Sequence, residues 1–253
     1  MNRVTSVTSP HAVWMYSLGV RPARESTWDL RRGREAPGMQ NVNELLRLPS
    51  PAPRPLGVAF DGTQLWLSSL ETERIYAMDP AQWTLSDEAA APGKPFGIAS
   101  IGDELRVVLG EGEADDRYVV RFVPGHGFKD AAKIACPEFI GSHVAYDGEL
   151  LYVSQFTTSC IVALDDAGAV VRTIALKNPP AGITFCDGRL YMVSVDDAND
   201  RRLLSRTDPH DAHAQVEDLA VIPFAARGLA FDGTRFWSGE RDANEIVAFT
   251  HAG

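Results

Sequence analysis

Gly57-Val-Ala-Phe-Asp-Gly62 returns along the chain in altered form. The copies are Gly97-Ile-Ala-Ser-Ile-Gly102, His143-Val-Ala-Tyr-Asp-Gly148, Gly182-Ile-Thr-Phe-Cys-Asp-Gly188 and Gly228-Leu-Ala-Phe-Asp-Gly233. Their starts lie 40, 46, 39 and 46 residues apart. After each copy comes a second apolar run, such as Leu65-Trp66-Leu67 or Leu151-Tyr152-Val153. A polar loop and a third run follow, for example Ile75-Tyr-Ala-Met-Asp79 or Ile161-Val-Ala-Leu-Asp165. A fourth run closes most units, most clearly Val170-Val-Arg-Thr-Ile-Ala-Leu176. The Asp-Gly between the first two runs is a hairpin signal, because glycine accepts the positive φ of a twisted tight turn. Each unit therefore reads as four short antiparallel strands, a to d. Four-stranded units of about 40 residues in tandem are the pattern of a β-propeller.

Composition agrees with an all-β chain. Of 253 residues, 21 are glycine and 16 proline, so breakers fall too often for long helices. A 45% hydrophobic share is enough for a substantial core. The formal net charge of −10 argues against a phosphate-tracking surface, so nucleic acid is not an expected partner. No apolar run reaches the length of a membrane span, and the first residues lack the apolar stretch of a signal peptide. Cys136, Cys160 and Cys186 are odd in number and widely spaced, so no disulfide framework is expected. A reduced, cytoplasmic protein is the resulting expectation.

Five units are plain, and the length leaves room for a sixth. Arg3 to Tyr16 aligns without gaps on Arg172 to Phe185, where an outer strand leads into the next inner strand. The expectation is a single propeller domain over residues 1–253 with six blades. Residues 3–8 then complete the C-terminal blade, which removes two open sheet edges. The alternative is five blades, with Asn41 to Ser50 as the closing strand.

The recurring Pro-x-Gly-Ile/Val-Ala-x-Asp-Gly-x-Leu-Tyr/Trp, followed by Ile-x-x-x-Asp, resembles NHL-type, YncE-like and SMP-30/gluconolactonase-like propellers, and also the streptogramin lyases. The resemblance spans about residues 50–250 and implies blade architecture. Gluconolactonase-like propellers hold a metal through a Glu in a Glu-Gly-Pro, a tripeptide this sequence lacks. Candidate site residues must therefore be argued from their position in the blade.

In a propeller the d-to-a and b-to-c connections converge on one face around the channel. The b-to-c loops here are acidic, with Glu71, Glu111 and Asp196 among their carboxylates. Hard divalent cations take several carboxylate oxygens, so these three are the candidate ligands for Ca²⁺, Mg²⁺ or a transition metal. Good turn formers give the same composition without any ligand. His143 takes the inner position that is glycine in the other four units, and His11 precedes the degenerate inner strand. A neutral imidazole acts as general base or metal ligand near neutral pH. At the end of strand b the aligned residues Ser69, Leu109, Gln155, Ser194 and Glu240 change chemistry from blade to blade, as an asymmetric site requires. Arg227 replaces small or apolar counterparts and can clamp a carboxylate.

The catalytic candidates are thus His143, His11 and Glu240, and the substrate-binding candidates are Gln155, Arg227, Ser69 and Ser194. Two readings stand. One is an enzyme acting on a small molecule at the channel mouth, by metal-assisted hydrolysis or lactone opening or by lyase or cyclase chemistry. The other is a non-catalytic propeller that binds a protein or peptide on its loop face. No nucleotide cofactor is expected, since Gly110-Glu-Gly112 sits in a strand-to-strand loop without a following helix.

Overall fold

The computed structural model describes residues 39–211, 213 and 215–251. They form a β-propeller of five four-stranded antiparallel blades. A closing strand, β1 (Asn43–Pro49), comes first. Blade one then runs β2 (Pro55–Phe60), β3 (Leu65–Ser69), β4 (Arg74–Asp79) and β5 (Thr84–Ala90). Blade two is β6 (Lys94–Ile101), β7 (Glu104–Glu111), β8 (Asp116–Val123) and β9 (Gly127–Ala135). Blade three is β10 (Val144–Tyr146), β11 (Leu151–Gln155), β12 (Cys160–Leu164) and β13 (Val170–Ala175). Blade four is β14 (Pro180–Cys186), β15 (Arg189–Asp196), β16 (Arg201–Thr207) and β17 (Glu217–Ile222). Blade five is β18 (Ala226–Phe231), β19 (Phe236–Glu240) and β20 (Glu245–Thr250), and β1 pairs antiparallel with β20 as its fourth strand.

The expected six blades are therefore corrected to five. The inner strands β2, β6, β10, β14 and β18 pack in sequence and β18 returns onto β2, which completes the ring. The fourth place of the last blade is filled by Asn43–Pro49, with Arg47 opposite Val247. The stretch before it also bonds to blade four, through Val42 N–H to the Val221 carbonyl at 2.8 Å and Val221 N–H to the Gln40 carbonyl at 2.9 Å. Residues 3–8 and 12–17, expected as strands of a sixth blade, lie outside the described residues, as does His11.

Five buried clusters hold the ring, one at each seam between neighbouring blades. A strand sends alternate side chains to opposite faces, so one strand feeds two seams. In β3, Trp66 faces blade two while Leu65 and Leu67 face blade five. The recurring aromatics are these wedges: Trp66 meets Phe122 edge-on at 5.5 Å, and Tyr191 meets Phe236 at 5.1 Å. The Asp of the repeat caps its own turn and then reaches the wedge. Asp61 accepts from Thr63 N–H and Gln64 N–H and from the Trp66 indole at 2.7 Å. Asp232 does the same for Trp237, and Asp147 accepts from the Tyr152 hydroxyl. This is why Asp and the aromatic recur five residues apart.

The inner glycines have a different origin. A Cβ on Gly57 would lie 2.2 Å from the Phe96 carbonyl oxygen. On Gly97 it would lie 2.3 Å from His143 Cα, and on Gly182 2.5 Å from the Gly228 carbonyl carbon. Adjacent inner strands touch backbone to backbone, and only glycine permits it. His143 is the exception in this ring. By the direction its glycine counterparts share, its side chain is aimed at the fourth inner strand.

Candidate functional site at the channel mouth

Every b-to-c connection is a four-residue turn with a left-handed residue in last place: Glu73, Asp115, Ser159, Asp200 and Asn244. These turns and the d-to-a connections crown one face of the ring. Most of the polar side chains there are spent on holding the turns. Ser69 Oγ donates to the Pro53 carbonyl at 2.6 Å. Gln155 Nε2 donates to the carbonyls of Pro137 and Ile140, and its Oε1 accepts from Thr158 and Cys160. Gln155 thereby braces the Pro137–Phe139 turn, in which Glu138 and Phe139 are both left-handed. Ser194 is buried on β15. Glu240 is buried too, and its carboxylate accepts from the Arg47 guanidinium of the closing strand.

The three candidate metal ligands stand on different blades. Glu71 is exposed in the blade one turn, and Glu111 pairs with Lys133 at 2.7 Å. Asp196 pairs with Arg201 at 2.8 Å and accepts from Asn199. Burial pushes the Asp196 carboxyl up, but these bonds outweigh it and the carboxyl titrates below its usual range. Among the described residues, no three His, Cys, Asp or Glu side chains gather as a metal site would need.

His143 and Arg227 do come together. The imidazole is buried, and no described residue hydrogen-bonds its ring. Its backbone is fixed instead, with the amide donating to Ser154 Oγ at 2.9 Å and the carbonyl accepting from Ser154 N–H at 2.8 Å. Burial pushes the His143 pKa down to about 3, and the Arg227 cation adds to the shift. The ring is therefore neutral at physiological pH. Arg227 starts in blade five on β18, yet its guanidinium lies over the Phe156 ring of blade three, 5.3 Å from the centroid. It reaches across the inner end of blade four, where the aligned residue is the small, buried Ala181. Burial, with Arg202 and Arg241 nearby, lowers the Arg227 pKa to about 10. Asp242 and Asp197 pull the other way from the exposed rim.

Blade two shows what a satisfied arrangement looks like. There Phe96 holds the position of Arg227, and Arg117 lies over its ring at 3.5 Å. Arg117 also pairs with Asp115 at 2.6 Å and donates to the Gly141 carbonyl. No carboxylate comes within ion-pair distance of Arg227 among the described residues. A buried neutral base and a half-buried, unpaired cation thus lie within electrostatic reach of each other. Phe156 was not expected from its repeat position, but it is the only aromatic in the five b-to-c turns. A groove of about 310 Å³ also lies on this face between blades one and two, lined by Glu73, Lys94, Glu111 and Lys133. None of the residues around His143 and Arg227 lines it.

No protein-family model matches the chain, and no curated protein matches it. Solved structures do. The PQQ-bound aldose sugar dehydrogenase of Streptomyces coelicolor is similar at 13% identity and a TM-score of 0.56, over 83% of this chain and 98% of that one. A chain of the nidogen–laminin complex is similar at 16% identity and a TM-score of 0.55, over 84% and 88%. A streptogramin B lyase matches at 12% identity and a TM-score of 0.47, over 83% and 98%. At these identities the likeness to the first two is one of fold. It agrees with the propeller read from the repeats and leaves the family open. Among the described residues no helix is long and apolar enough to cross a membrane.

Proposed function

We propose that the protein is an enzyme that binds a small organic acid at the channel mouth. Arg227 holds the substrate carboxylate, and His143 takes a proton from it. The supporting observation is the pairing of a neutral imidazole, unbonded by any described residue, with the unpaired Arg227 cation beside it. With a pKa of about 3 the imidazole is unprotonated but weakly basic in the empty protein. A substrate anion that offsets the Arg227 charge raises its basicity, and the cation stabilises negative charge developing on the substrate. That pairing suits lyase, cyclase or lactone-opening chemistry. In an elimination, the C–H proton passes to His143, its electron pair forms the new double bond, and the leaving group departs. The partly buried Phe156 gives the site an apolar wall.

Turnover of a panel of lactones and β-substituted carboxylates tests this. A substrate in that panel should lose about 10²-fold or more in kcat when His143→Gln removes the base. The same substrate should show raised KM in Arg227→Gln. A His143→Gln protein with unchanged kcat would overturn the proposal.

A further inference from the structure

Arg227 is not alone at the mouth. Arg202, at the start of β16 in blade four, and Arg241, in the b-to-c turn of blade five, are both close enough to repel it. Arg54 of blade one in turn repels Arg241. Among the described residues, every other arginine pairs with a carboxylate, except Arg172, which donates to the Pro209 carbonyl. Besides Arg172, the four without an ion pair stand on adjoining elements. Arg227 is on β18 opposite Gly239, Arg241 is in the turn after β19, Arg54 donates its backbone N–H to Asn244 of that same turn, and Arg202 is on β16 of the neighbouring blade. Two of them carry a buried orphan donor: Arg202 Nε and Arg241 Nε meet no acceptor among the described residues. Arg74 also has a bare Nε, but its charge is met by Glu88 at 2.9 Å. The nearby carboxylates Asp197, Asp200, Asp242 and Glu71 sit exposed on the rim, outside ion-pair distance.

Like charges held together with buried donors unmet are costly in the empty protein. Guanidinium groups do not escape the cost by losing a proton near neutral pH, whereas an anionic ligand supplies the missing acceptors. One carboxylate meets one guanidinium face, whereas this cluster offers several faces from blades one, four and five. We infer that Arg202, Arg227, Arg241 and Arg54 form one anion site for a small molecule carrying two negative charges, a dicarboxylate or a phosphate monoester. The inference rests on the proposed function for the role of Arg227 and deepens it: the second charge seats on Arg202 and Arg241. Phe156 and His143 bound the side from which the uncharged part of the molecule reaches the base.

The test is calorimetric titration of the full-length protein with succinate, inorganic phosphate and acetate at constant ionic strength. Succinate or phosphate should bind at least 10-fold tighter than acetate. Arg202→Gln and Arg241→Gln should each weaken the dianion at least 10-fold and leave acetate nearly unchanged. Arg189→Gln, which removes a surface pair with Asp208, is the control and should change nothing. Melting temperatures confirm folding, and Arg241→Gln should melt no lower than the parent, since it relieves repulsion. Equal affinity for succinate, phosphate and acetate, or undiminished dianion binding in both variants, would overturn the inference. His143→Gln separates the two ideas. Dianion binding that survives this variant while turnover also survives sinks the base and spares the anion site.

Discussion

The Arg227 guanidinium of blade five rests over the Phe156 ring of blade three, 5.3 Å from its centroid, across the inner end of blade four. The contact ties together two blades that share no seam. A cation over an aromatic face in a desolvated setting is worth about 1–2 kcal/mol. Phe156→Leu keeps the apolar wall and removes the ring, and should lower stability by about that amount in urea unfolding. Phe156→Tyr should cost much less. Equal stability of the parent and the leucine variant would mean that the ring carries no part of the cation's cost.

His143 makes stability depend on acidity. Its folded pKa of about 3 lies below the unfolded value of about 6.5, so the unfolded chain binds the extra proton first. The sign follows: this contribution is complete above pH 6.5 and is lost progressively as pH falls toward 3. At pH 5 the loss is about 2 kcal/mol. His143→Gln should flatten the slope of unfolding free energy between pH 6.5 and 4, measured by urea titration at several pH values. An unchanged slope would place the ring in water.

Gly97 stands where a Cβ would come within 2.3 Å of His143 Cα. The obstacle is backbone, so no rotamer change relieves it. Gly97→Ala should therefore cost about 3 kcal/mol, at the upper end for overpacking, because two inner strands must part. It should also disturb binding at the mouth, since His143 moves with its strand. A loss below 1 kcal/mol in chemical unfolding would show that the ring has slack at this seam.

Glu240 accepts from Arg47 and so fastens the closing strand to the last blade. Arg47 is also held by Glu44 and Glu245, and its pKa is raised, with the Glu44 bond as the largest cause. Glu240→Gln should destabilise the ring by about 2 kcal/mol, as loss of a charge-assisted bond to a buried partner does. Ligand affinity at the mouth should hold. A stable variant with lost affinity would reverse the assignment and move Glu240 into the site.

The repeat was legible because each of its residues has a local duty. Asp61 and Asp232 cap turns and hold indoles, while Gly57 and Gly97 let inner strands touch. The count of blades was harder to read. The closing strand Asn43–Pro49 is exposed along almost its whole length, so it lacks the alternation that marks an inner strand. Arg3 to Tyr16, by contrast, carries a pattern that aligns with a true blade junction. Of the site, Arg227 and His143 could be found because each breaks the repeat. Arg202 and Arg241 could not, since arginine also occurs near that turn at Arg74, Arg117 and Arg201. Whether such an arginine is paired depends on which way it points, and only the packed blades decide that.

The most direct measurement is the nitrogen spectrum of the His143 ring, read through long-range proton–nitrogen NMR while succinate is added at pH 6. A neutral imidazole whose nitrogen shifts move with succinate, and stay still in Arg227→Gln, is the predicted result. A ring that titrates near pH 6.5, or one blind to succinate in the parent protein, would contradict a functional site built on His143 and Arg227.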